Sequence, residues 1–323
     1  MLQDSFSRQF QYIRISVTER CNFKCQYCLP NGYQRTCADD SLFVAEIDNL
    51  VAALVDMGVW KIRLTGGEPT LRRDLSEIMQ IIRGYPQIRE LGITTNGFKL
   101  GDKINEYFNA GLTNLNVSVD SMDGEQFKNI TQVDKLDYIM DSIKTARSIG
   151  VCKIKINAVL LPHSLTELDM FLEYIRNQPI SVRFIELMQT SDNGAYFKAN
   201  YIDAAILHNE LLQRGWQQIA REDGAGPAIE FSHTDYIGKV GIIAPYRKDF
   251  CSTCNRLRFT HTGALRLCLF GDGNYPLRNL LQSKQQKPEL QQAILVALSE
   301  KPKAHQLASF KTGNIQNLSN VGG

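Results

Sequence analysis

Three cysteines near the start of the chain, Cys21, Cys25 and Cys28, follow the spacing C-x₃-C-x₂-C. Thiolates spaced this closely can converge on one metal centre at little cost in loop-closure entropy. Structural zinc sites and electron-transfer iron–sulfur clusters usually have four protein ligands, so three ligands would leave one metal position open for chemistry. The alternative interpretations are a zinc site that a distant cysteine or histidine completes, and thiols that cluster by chance.

A second group of three cysteines, Cys251, Cys254 and Cys268, lies near the other end of the chain. The residues between Cys254 and Cys268 predict a β-hairpin with a glycine-containing turn. Pairing of Thr260 with Ala264 in this hairpin would return Cys268 to the side of Cys254. The sequence therefore predicts a second three-thiolate site.

His261 is the nearest candidate for a fourth ligand of the second site, but it falls in the turn of the hairpin. Five residues of strand would separate it from Arg256 by about 16 Å, which is too far for coordination. Arg256 and Arg258 share one face of the hairpin and would direct two cations to the same region. The more distant histidines that could still complete either site are His163, His208, His233 and His305.

Composition restricts the class of protein. The chain has 323 residues, 43% hydrophobic and 22% charged, with a net charge of +2. These values are typical of a globular protein, and the small charge argues against a protein that coats nucleic acid. We find neither a secretion signal nor an apolar run of about 20 residues, so we expect a cytoplasmic protein without a membrane span. In that compartment clustered cysteines favour metal chemistry over disulfides, and the isolated Cys37 and Cys152 need no special role.

Short strand patterns alternate with helix patterns over the first two thirds of the chain. This alternation predicts an α/β fold with a parallel sheet, specifically an incomplete (βα)6-type barrel. The rhythm stops near residue 215, and Gly224–Pro227 resembles a junction. We therefore predict two domains, a partial barrel over 1–220 and a β-rich C-terminal domain over 221–323 that carries the second cysteine group. The predicted strands are Tyr12–Val17, Lys61–Thr65, Leu91–Thr95, Asn114–Asp120, Lys153–Val159 and Ser181–Glu186.

Polar and apolar residues alternate along these strands, whereas central strands of a filled barrel are usually apolar throughout. The apolar faces must pack against the helices, so the polar faces should line a wet interior. A polyanion such as a nucleotide polyphosphate is the simplest counter-ion for this lining, because buried like charges are costly without one. A solvated sheet face is the alternative, but the pattern recurs in all six strands. The inward cations are Arg14, Lys61, Arg63, Lys155 and Arg183.

Loop residues suited to binding follow several strands. Gly66-Gly67-Glu68-Pro69 follows the second strand, Thr94–Gly97 ends the third, and Ser118–Asp120 ends the fourth. Gly66 and Gly67 would let the backbone approach a ligand closely, and Glu68 could accept a hydrogen bond from an ammonium group. All of these segments lie at the carboxyl ends of predicted strands, where such barrels place their active sites.

The first cysteine motif, together with Gly66–Pro69 and Thr94–Gly97, resembles the radical S-adenosylmethionine (SAM) superfamily. The segment Cys251–Cys268 and the terminal Gly322-Gly323 narrow this resemblance to the GTP 3′,8-cyclase family of molybdenum cofactor biosynthesis. The likeness extends from about Arg14 to Cys268 and returns at the last two residues. The stretches 222–239 and 305–320 show little that can be aligned.

The resemblance implies two [4Fe–4S] clusters and S-adenosyl-L-methionine as cofactors. Cys21, Cys25 and Cys28 would hold the cluster that binds SAM, and Cys251, Cys254 and Cys268 a second cluster whose open iron meets the guanine of GTP. The positions that would contact SAM are Tyr27, Gly67, Glu68, Ser118 and Met188. Those that would contact GTP are Arg14, Lys61, Arg63, Thr94, Lys155, Arg183, Arg256 and Arg258. The resemblance implies catalytic roles for the first cysteine group, Arg256 and Arg258. It implies one also for the Gly322-Gly323 tail, which would enter the active site.

The implied activity is that of a lyase. A 5′-deoxyadenosyl radical would abstract the ribose C3′ hydrogen of GTP, and the C3′ radical would add to guanine C8 to give 3′,8-cyclo-7,8-dihydroguanosine triphosphate. The implied partners are a flavodoxin- or ferredoxin-like electron donor and the downstream cyclic pyranopterin monophosphate synthase. A homodimer is compatible with the sequence, which does not fix the oligomeric state. The alternatives are a radical SAM enzyme that modifies peptides or proteins and a zinc-stabilised binding module.

Overall fold

The computed structural model describes residues 1–34, 40–222, 224–309, 311–313 and 315–319. One sheet of twelve strands runs through these residues in the order β12-β11-β10-β1-β2-β3-β4-β5-β6-β9-β8-β7. The strands are β1 Tyr12–Ser16, β2 Lys61–Thr65, β3 Glu90–Thr95, β4 Asn114–Ser118, β5 Lys153–Leu160, β6 Ser181–Glu186, β7 Gln217–Gln218, β8 Ile229–Ser232, β9 Lys239–Ile243, β10 Arg256–Phe259, β11 Ala264–Arg266 and β12 Tyr275–Pro276.

Helices follow most of the parallel strands. They are α1 Val44–Asp56, α2 Leu75–Arg83, α3 Leu100–Asn109, α4 Gly124–Thr131, α5 Leu136–Ser148, α6 Pro162–Thr166, α7 Leu168–Arg176, α8 Gly194–Asn200, α9 Ala204–Gln213 and α10 Lys287–Ser299. Within the described residues, none of them is long and apolar enough to cross a membrane.

Eight successive strands of the sheet, β10-β1-β2-β3-β4-β5-β6-β9, are parallel to one another. The predicted α/β class and incomplete parallel barrel are therefore confirmed. β9 and β10 come from the C-terminal part of the chain and extend the six predicted strands at both edges. The sheet thus continues across the predicted junction at 224–227.

Alternation along the strands separates the core from the interior, as predicted. Ile13 and Ile15 of β1 are fully buried and belong to the main hydrophobic cluster, together with helix residues such as Leu50 and Leu54 of α1. In β5 every second residue is buried from Ile154 onward, and the residues between them are partly exposed towards the interior. The period of two thus sends polar side chains into the barrel because the helices cover its outside.

The predicted hairpin forms with the predicted register. Arg258 pairs with Arg266, and the backbone N–H of Thr260 donates to the carbonyl of Ala264 at 2.9 Å. This pairing returns Cys268 towards Cys254, so the second cysteine group is assembled by a local hairpin on β10.

Candidate functional site

The first cysteine group lies in the loop after β1. Backbone hydrogen bonds join Lys24 to Thr131 and Gln26 to Ile130, so the end of α4 supports this loop. We call the space beside it the first cavity. Its lining includes Cys21, Cys25, Cys28, Tyr27, Gly66, Gly67, Thr94, Asn96, Ser118, Asp120, Asn157, Ile185, Met188, Leu318 and Ser319.

Gly66 and Gly67 contact the segment that precedes the cysteines. A Cβ atom on Gly66 would lie 2.3 Å from the carbonyl oxygen of Thr18, and one on Gly67 would lie 2.3 Å from that of Arg20. The backbone N–H of Gly67 donates to the Thr18 carbonyl at 2.9 Å. The pair thus makes a close approach to the segment before the cysteines, which only glycine allows, whereas its predicted approach to a ligand stays a prediction.

The carboxylate of Glu68 is fully buried and accepts four hydrogen bonds from the protein. The donors are the hydroxyl (2.6 Å) and backbone N–H (3.0 Å) of Thr70, the hydroxyl of Thr95 (2.6 Å) and the backbone N–H of Asn96 (2.6 Å). Asn96 in turn directs its amide at the sulfur of Cys21, 3.9 Å away. Glu68 does not line the first cavity, and its contacts position the loops around it.

Asn193 links two of the residues predicted to contact SAM. Its side-chain amide donates to the carbonyl of Tyr27 at 2.9 Å and to that of Met188 at 3.0 Å. The hydroxyl of Tyr27 donates to the carboxylate of Asp120 at 2.7 Å. Sequence reasoning included Asp120 only as the last residue of the segment Ser118–Asp120, and it missed Asn193, which stands in no motif that marks it.

The thiols of the first group are in a poorly solvated environment. Burial raises the pKa of Cys21 to about 11 and that of Cys28 to about 12. A low-dielectric pocket of this kind disfavours free thiolates, and bound iron would supply the positive charge that stabilises them. The three thiols therefore suit metal ligation better than a role as free nucleophiles.

Within the described ranges, no three cysteine, histidine, aspartate or glutamate side chains stand close enough together to bind one metal ion. The cysteines of each group nevertheless influence one another electrostatically. Cysteines that bind different irons of a cubane are farther apart than the ligands of a single zinc ion, whose bonds to sulfur are about 2.3 Å long. The spacing of the first group is thus compatible with an iron–sulfur cluster, and the second group offers three thiols of the same kind.

The second cysteine group opens into a second cavity. Its lining includes Tyr12, Arg14, Lys61, Arg63, Thr94, Asn116, Lys155, Asn157, Arg183, Ile185, Met188, Phe250, Cys251, Cys254, Arg256, Arg258, Cys268, Phe270 and His305. Thr94, Asn157, Ile185 and Met188 line both cavities. The two cysteine groups therefore face a common space inside the barrel, and the predicted inward cations lie in it.

Four arginines form a row across adjacent strands. Arg266, Arg258, Arg14 and Arg63 are register partners in turn on β11, β10, β1 and β2. The row ends at Gly92 of β3, where a Cβ atom would lie 2.9 Å from the guanidinium carbon of Arg63. Glycine at this position leaves the space that the Arg63 side chain occupies.

Most of these cations lack a full set of acceptors. Among the described residues, the buried Nε atoms of five arginines have no hydrogen-bond partner: Arg14, Arg183, Arg256, Arg258 and Arg266. Glu90 binds Lys61 at 2.8 Å and Glu230 binds Arg183, so two carboxylates offset part of the charge. Burial and the charges of Arg183, Arg63 and Lys61 lower the pKa of Lys155 to about 7. The cavity needs an acceptor-rich anion to complete it.

Charge around the second group favours a thiolate. Burial alone would raise the pKa of Cys254, but Arg256 and Lys301 outweigh it and lower the pKa to about 7. The ammonium group of Lys301 is buried and donates to the carbonyl of Leu267. A thiolate of this kind is ready to bind a metal near neutral pH.

The structure brings together nearly all the predicted site residues. The three cysteines of each group line the two cavities, as do Tyr27, Gly67, Ser118 and Met188 in the first and the eight predicted GTP contacts in the second. Gly322 and Gly323 lie outside the described residues. Sequence reasoning left Tyr12 unmarked and treated His305 as one of several distant histidines; the strand alternation that placed Arg14 inside could have identified Tyr12.

Known proteins with related sequences match the chain over its full length. Residues 15–175 match the Radical SAM superfamily, and residues 180–307 match Molybdenum Cofactor Synthesis C. Two Klebsiella pneumoniae proteins, each a GTP 3′,8-cyclase, are 45% identical over 325 residues, which cover 100% of this chain and 99% of theirs. The chain belongs to the GTP 3′,8-cyclase family. The resemblance found in the cysteine motifs is thereby confirmed.

Solved structures support the fold of this family member. Streptococcus suis SuiB bound to S-adenosylmethionine superposes with a TM-score of 0.63 at 12% identity, over 90% of this chain and 68% of that one. Another SuiB structure gives a TM-score of 0.55 at 16% identity, over 94% and 68%. At such low identity the likeness concerns the fold and not the substrate.

Proposed function

We propose that the protein is a radical SAM GTP 3′,8-cyclase that converts GTP into 3′,8-cyclo-7,8-dihydroguanosine triphosphate in the first step of molybdenum cofactor biosynthesis. The 45% identity to GTP 3′,8-cyclases along the whole chain supports this activity. The observation that carries the proposal is the common space between the two cysteine groups, lined by cations several of whose buried nitrogens lack an acceptor.

The first cysteine group would hold a [4Fe–4S] cluster, and Tyr27, Gly67, Ser118 and Met188 would contact SAM beside it. Bound there, these cofactors supply the radical that removes hydrogen from the ribose C3′ of GTP. The chain provides the position and the exclusion of water: Asn193 fixes the backbone of Tyr27 and Met188, and the buried glycine segment closes against the cysteine loop. A site for a reactive intermediate requires this kind of enclosure.

The cations of the second cavity would hold the triphosphate. Arg14, Arg63, Lys155 and Arg183 share this cavity with Thr94, which also borders the first cavity. Arginine and lysine bind phosphate oxygens through charge-assisted hydrogen bonds, so the sugar would be held near Thr94 while its triphosphate is clamped. The clamp limits the movement of the reacting carbon.

A second [4Fe–4S] cluster on Cys251, Cys254 and Cys268 is part of the proposal. The low pKa of Cys254 supports it, as do the neighbouring donors of Arg256 and Arg258, which would anchor the guanine end of GTP. We predict that Arg256→Ala weakens GTP binding and leaves SAM binding intact. An unchanged affinity for GTP would argue against this assignment.

The proposal includes the partners that the chemistry needs. A low-potential donor of the flavodoxin or ferredoxin type would supply electrons, and a cyclic pyranopterin monophosphate synthase would take over the product. The proposal places the protein in the cytoplasm, because cysteines that ligate iron–sulfur clusters must stay reduced.

The decisive experiment is anaerobic incubation of the reconstituted protein with reductant, SAM and GTP, followed by mass analysis of the nucleotide. We expect a new nucleotide isomeric with GTP, separated from it by chromatography and distinguished by its fragmentation, in which C3′ and C8 are joined, with 5′-deoxyadenosine as coproduct. SAM cleavage that is indifferent to GTP would contradict the cyclase assignment.

Two cysteine variants separate the clusters in this experiment. Cys28→Ser should abolish SAM cleavage, whereas Cys268→Ser should reduce the iron from roughly eight to roughly four per chain and abolish cyclisation. Full iron content and product formation in Cys268→Ser would remove the second cluster from the proposal.

A further inference from the structure

His305 enters the second cavity from the segment that follows α10. Its ring lies 5.8 Å from that of Phe250 and 5.7 Å from that of Phe270, centroid to centroid. The two aromatic rings restrict the orientation of the imidazole. The side chain lines the cavity that contains Cys251, Arg256 and Arg258.

Two hydrogen bonds involve the imidazole of His305. The backbone N–H of Leu307 donates to Nδ1 at 3.3 Å, and the ring also makes a hydrogen bond with the backbone of His305 itself. We assign Nδ1 as the acceptor from the first of these contacts. A neutral imidazole with Nδ1 as acceptor carries its hydrogen on Nε2, and an imidazolium would carry one there as well. Nε2 is buried and has no hydrogen-bond partner within the part of the chain that the structure describes.

A buried donor without an acceptor is costly, so the missing partner should come from the ligand. Two buried arginine nitrogens in the same cavity, Nε of Arg256 and Nε of Arg258, also lack acceptors. Three buried donors without acceptors thus belong to residues that line this end of the cavity. A 6-oxopurine offers acceptors at O6 and N7, whereas an adenine presents an amino donor at position 6.

We propose that His305 is a specificity-determining residue whose Nε2–H donates to the 6-oxo group of the bound purine. The assignment rests on the proposed function, because it presumes that the base lies beside the second cysteine group. In adenine, the 6-amino group would face the Nε2–H of His305, so two hydrogen-bond donors would face each other. Binding sites reject wrong substrates by unfavourable pairings of this kind. The aromatic rings of Phe250 and Phe270 keep the donor in place.

The test measures binding to the anaerobically reconstituted holoprotein without reductant or SAM, so that no turnover occurs. The probes are GTP, the triphosphate of 2-aminopurine riboside, which lacks the 6-oxo group, and inosine triphosphate, which lacks the 2-amino group. The proteins are wild type, His305→Leu, His305→Gln and His305→Asn. His208→Gln is the matched control, because His208 lies on α9 against Phe231 and outside the cavity.

We expect His305→Leu to weaken GTP binding at least about tenfold, because the 6-oxo group of GTP loses its hydrogen-bond donor. Binding of the 2-aminopurine nucleotide, which has no 6-oxo group, should stay nearly unchanged. The ratio between GTP and inosine triphosphate should stay constant. His305→Gln should recover most of the discrimination, since its amide nitrogen reaches the position of Nε2, and His305→Asn should not. His208→Gln should behave as wild type.

Wild-type discrimination between GTP and the 2-aminopurine nucleotide in His305→Leu would overturn the assignment. If His305→Leu does not retain its iron, the test compares His305→Gln with His305→Asn. Equal discrimination between GTP and the 2-aminopurine nucleotide in these two variants would then overturn the assignment. A His305 variant could also alter the electron paramagnetic resonance spectrum of the reduced second cluster in the absence of nucleotide. If its discrimination between GTP and the 2-aminopurine nucleotide were unchanged, the acceptor would be a cluster sulfur, and the assignment would be overturned. Failure of the wild-type protein to bind GTP would refute the proposed function, whereas failure of the variants alone would refute only the role of His305.

Discussion

Arg14 and Arg258 lie side by side as register partners on the adjacent parallel strands β1 and β10. Arg63 is the partner of Arg14 on its other side. Burial lowers the pKa of Arg258 to about 9, and the neighbouring charges of Arg14 and Arg256 contribute. These like charges repel one another in a poorly solvated interior. Their repulsion lowers the stability of the substrate-free protein.

Replacement of Arg14 by methionine should expose this conflict. We expect Arg14→Met to raise the free energy of unfolding by about 1 kcal/mol, because it removes a partly buried charge beside Arg258 and Arg63 and keeps most of the volume. It should also weaken GTP binding at least about tenfold by loss of a phosphate contact. Thermal unfolding and calorimetric binding, both on the anaerobic holoprotein, measure the two effects.

Arg72→Met is the matched control for Arg14→Met. The guanidinium of Arg72 donates to the carbonyls of Val17 (2.9 Å) and Leu42 (2.7 Å) and to the carboxylate of Asp74 (2.7 Å). Its loss should lower stability, because these acceptors would be left unpaired. If Arg14→Met and Arg72→Met lowered the free energy of unfolding equally, charge repulsion at Arg14 would not destabilise the substrate-free protein.

Nucleotide binding should depend on pH through Lys155. The pKa of this group is lowered to about 7 by burial and then by Arg183, so above pH 7 the free site holds fewer protons than a site filled by a triphosphate. Binding must then take up a proton, and the affinity for GTP should fall as the pH rises above 7, by at most about tenfold per pH unit. Calorimetry in buffers of different ionisation enthalpy measures the proton uptake directly.

Lys155→Met should remove most of this dependence on pH. Lys153→Met is the control, because Lys153 lies on the same strand, points to solvent and pairs with Glu90 at 2.6 Å. A wild-type proton uptake in Lys155→Met would contradict the assignment.

Glu68→Gln should destabilise the first cysteine loop. The carboxylate accepts four hydrogen bonds, and a glutamine amide would present N–H groups to donors. We expect a loss of about 1–3 kcal/mol and reduced iron retention at the first group, measured by thermal unfolding and iron analysis. Glu77→Gln on the exposed face of α2 should change neither quantity. Normal iron content and stability in Glu68→Gln would show that the network is dispensable.

Deletion of Gly322-Gly323 should abolish cyclisation and leave both clusters in place. Leu318 and Ser319 line the first cavity, and their backbone N–H groups hydrogen-bond to the sulfur of Cys28. The chain thus reaches the first cysteine group only a few residues before its end. The measurements are iron content and mass analysis of the nucleotide, and full turnover of the truncated protein would exclude a role for the tail.

The sequence alone determined the strands and their two faces. β2 Lys61–Thr65 and β6 Ser181–Glu186 have the predicted bounds, and the inward arginines and lysines line the second cavity. Alternation is a local property: once one face must be covered by helices, the direction of every second side chain follows. The hairpin of Cys254 and Cys268 was predictable for the same reason, since its turn fixes its register.

Only the tertiary structure decided which distant segments meet. It placed β9 and β10 at opposite edges of the parallel sheet, Arg14 between Arg63 and Arg258, and His305 beside the second cysteine group. It also showed that the carboxylate of Glu68 accepts hydrogen bonds from Thr95 and Asn96, whereas the motif had suggested a contact with a ligand. Such pairings depend on the packing of residues far apart in the chain, and no local period or spacing encodes them.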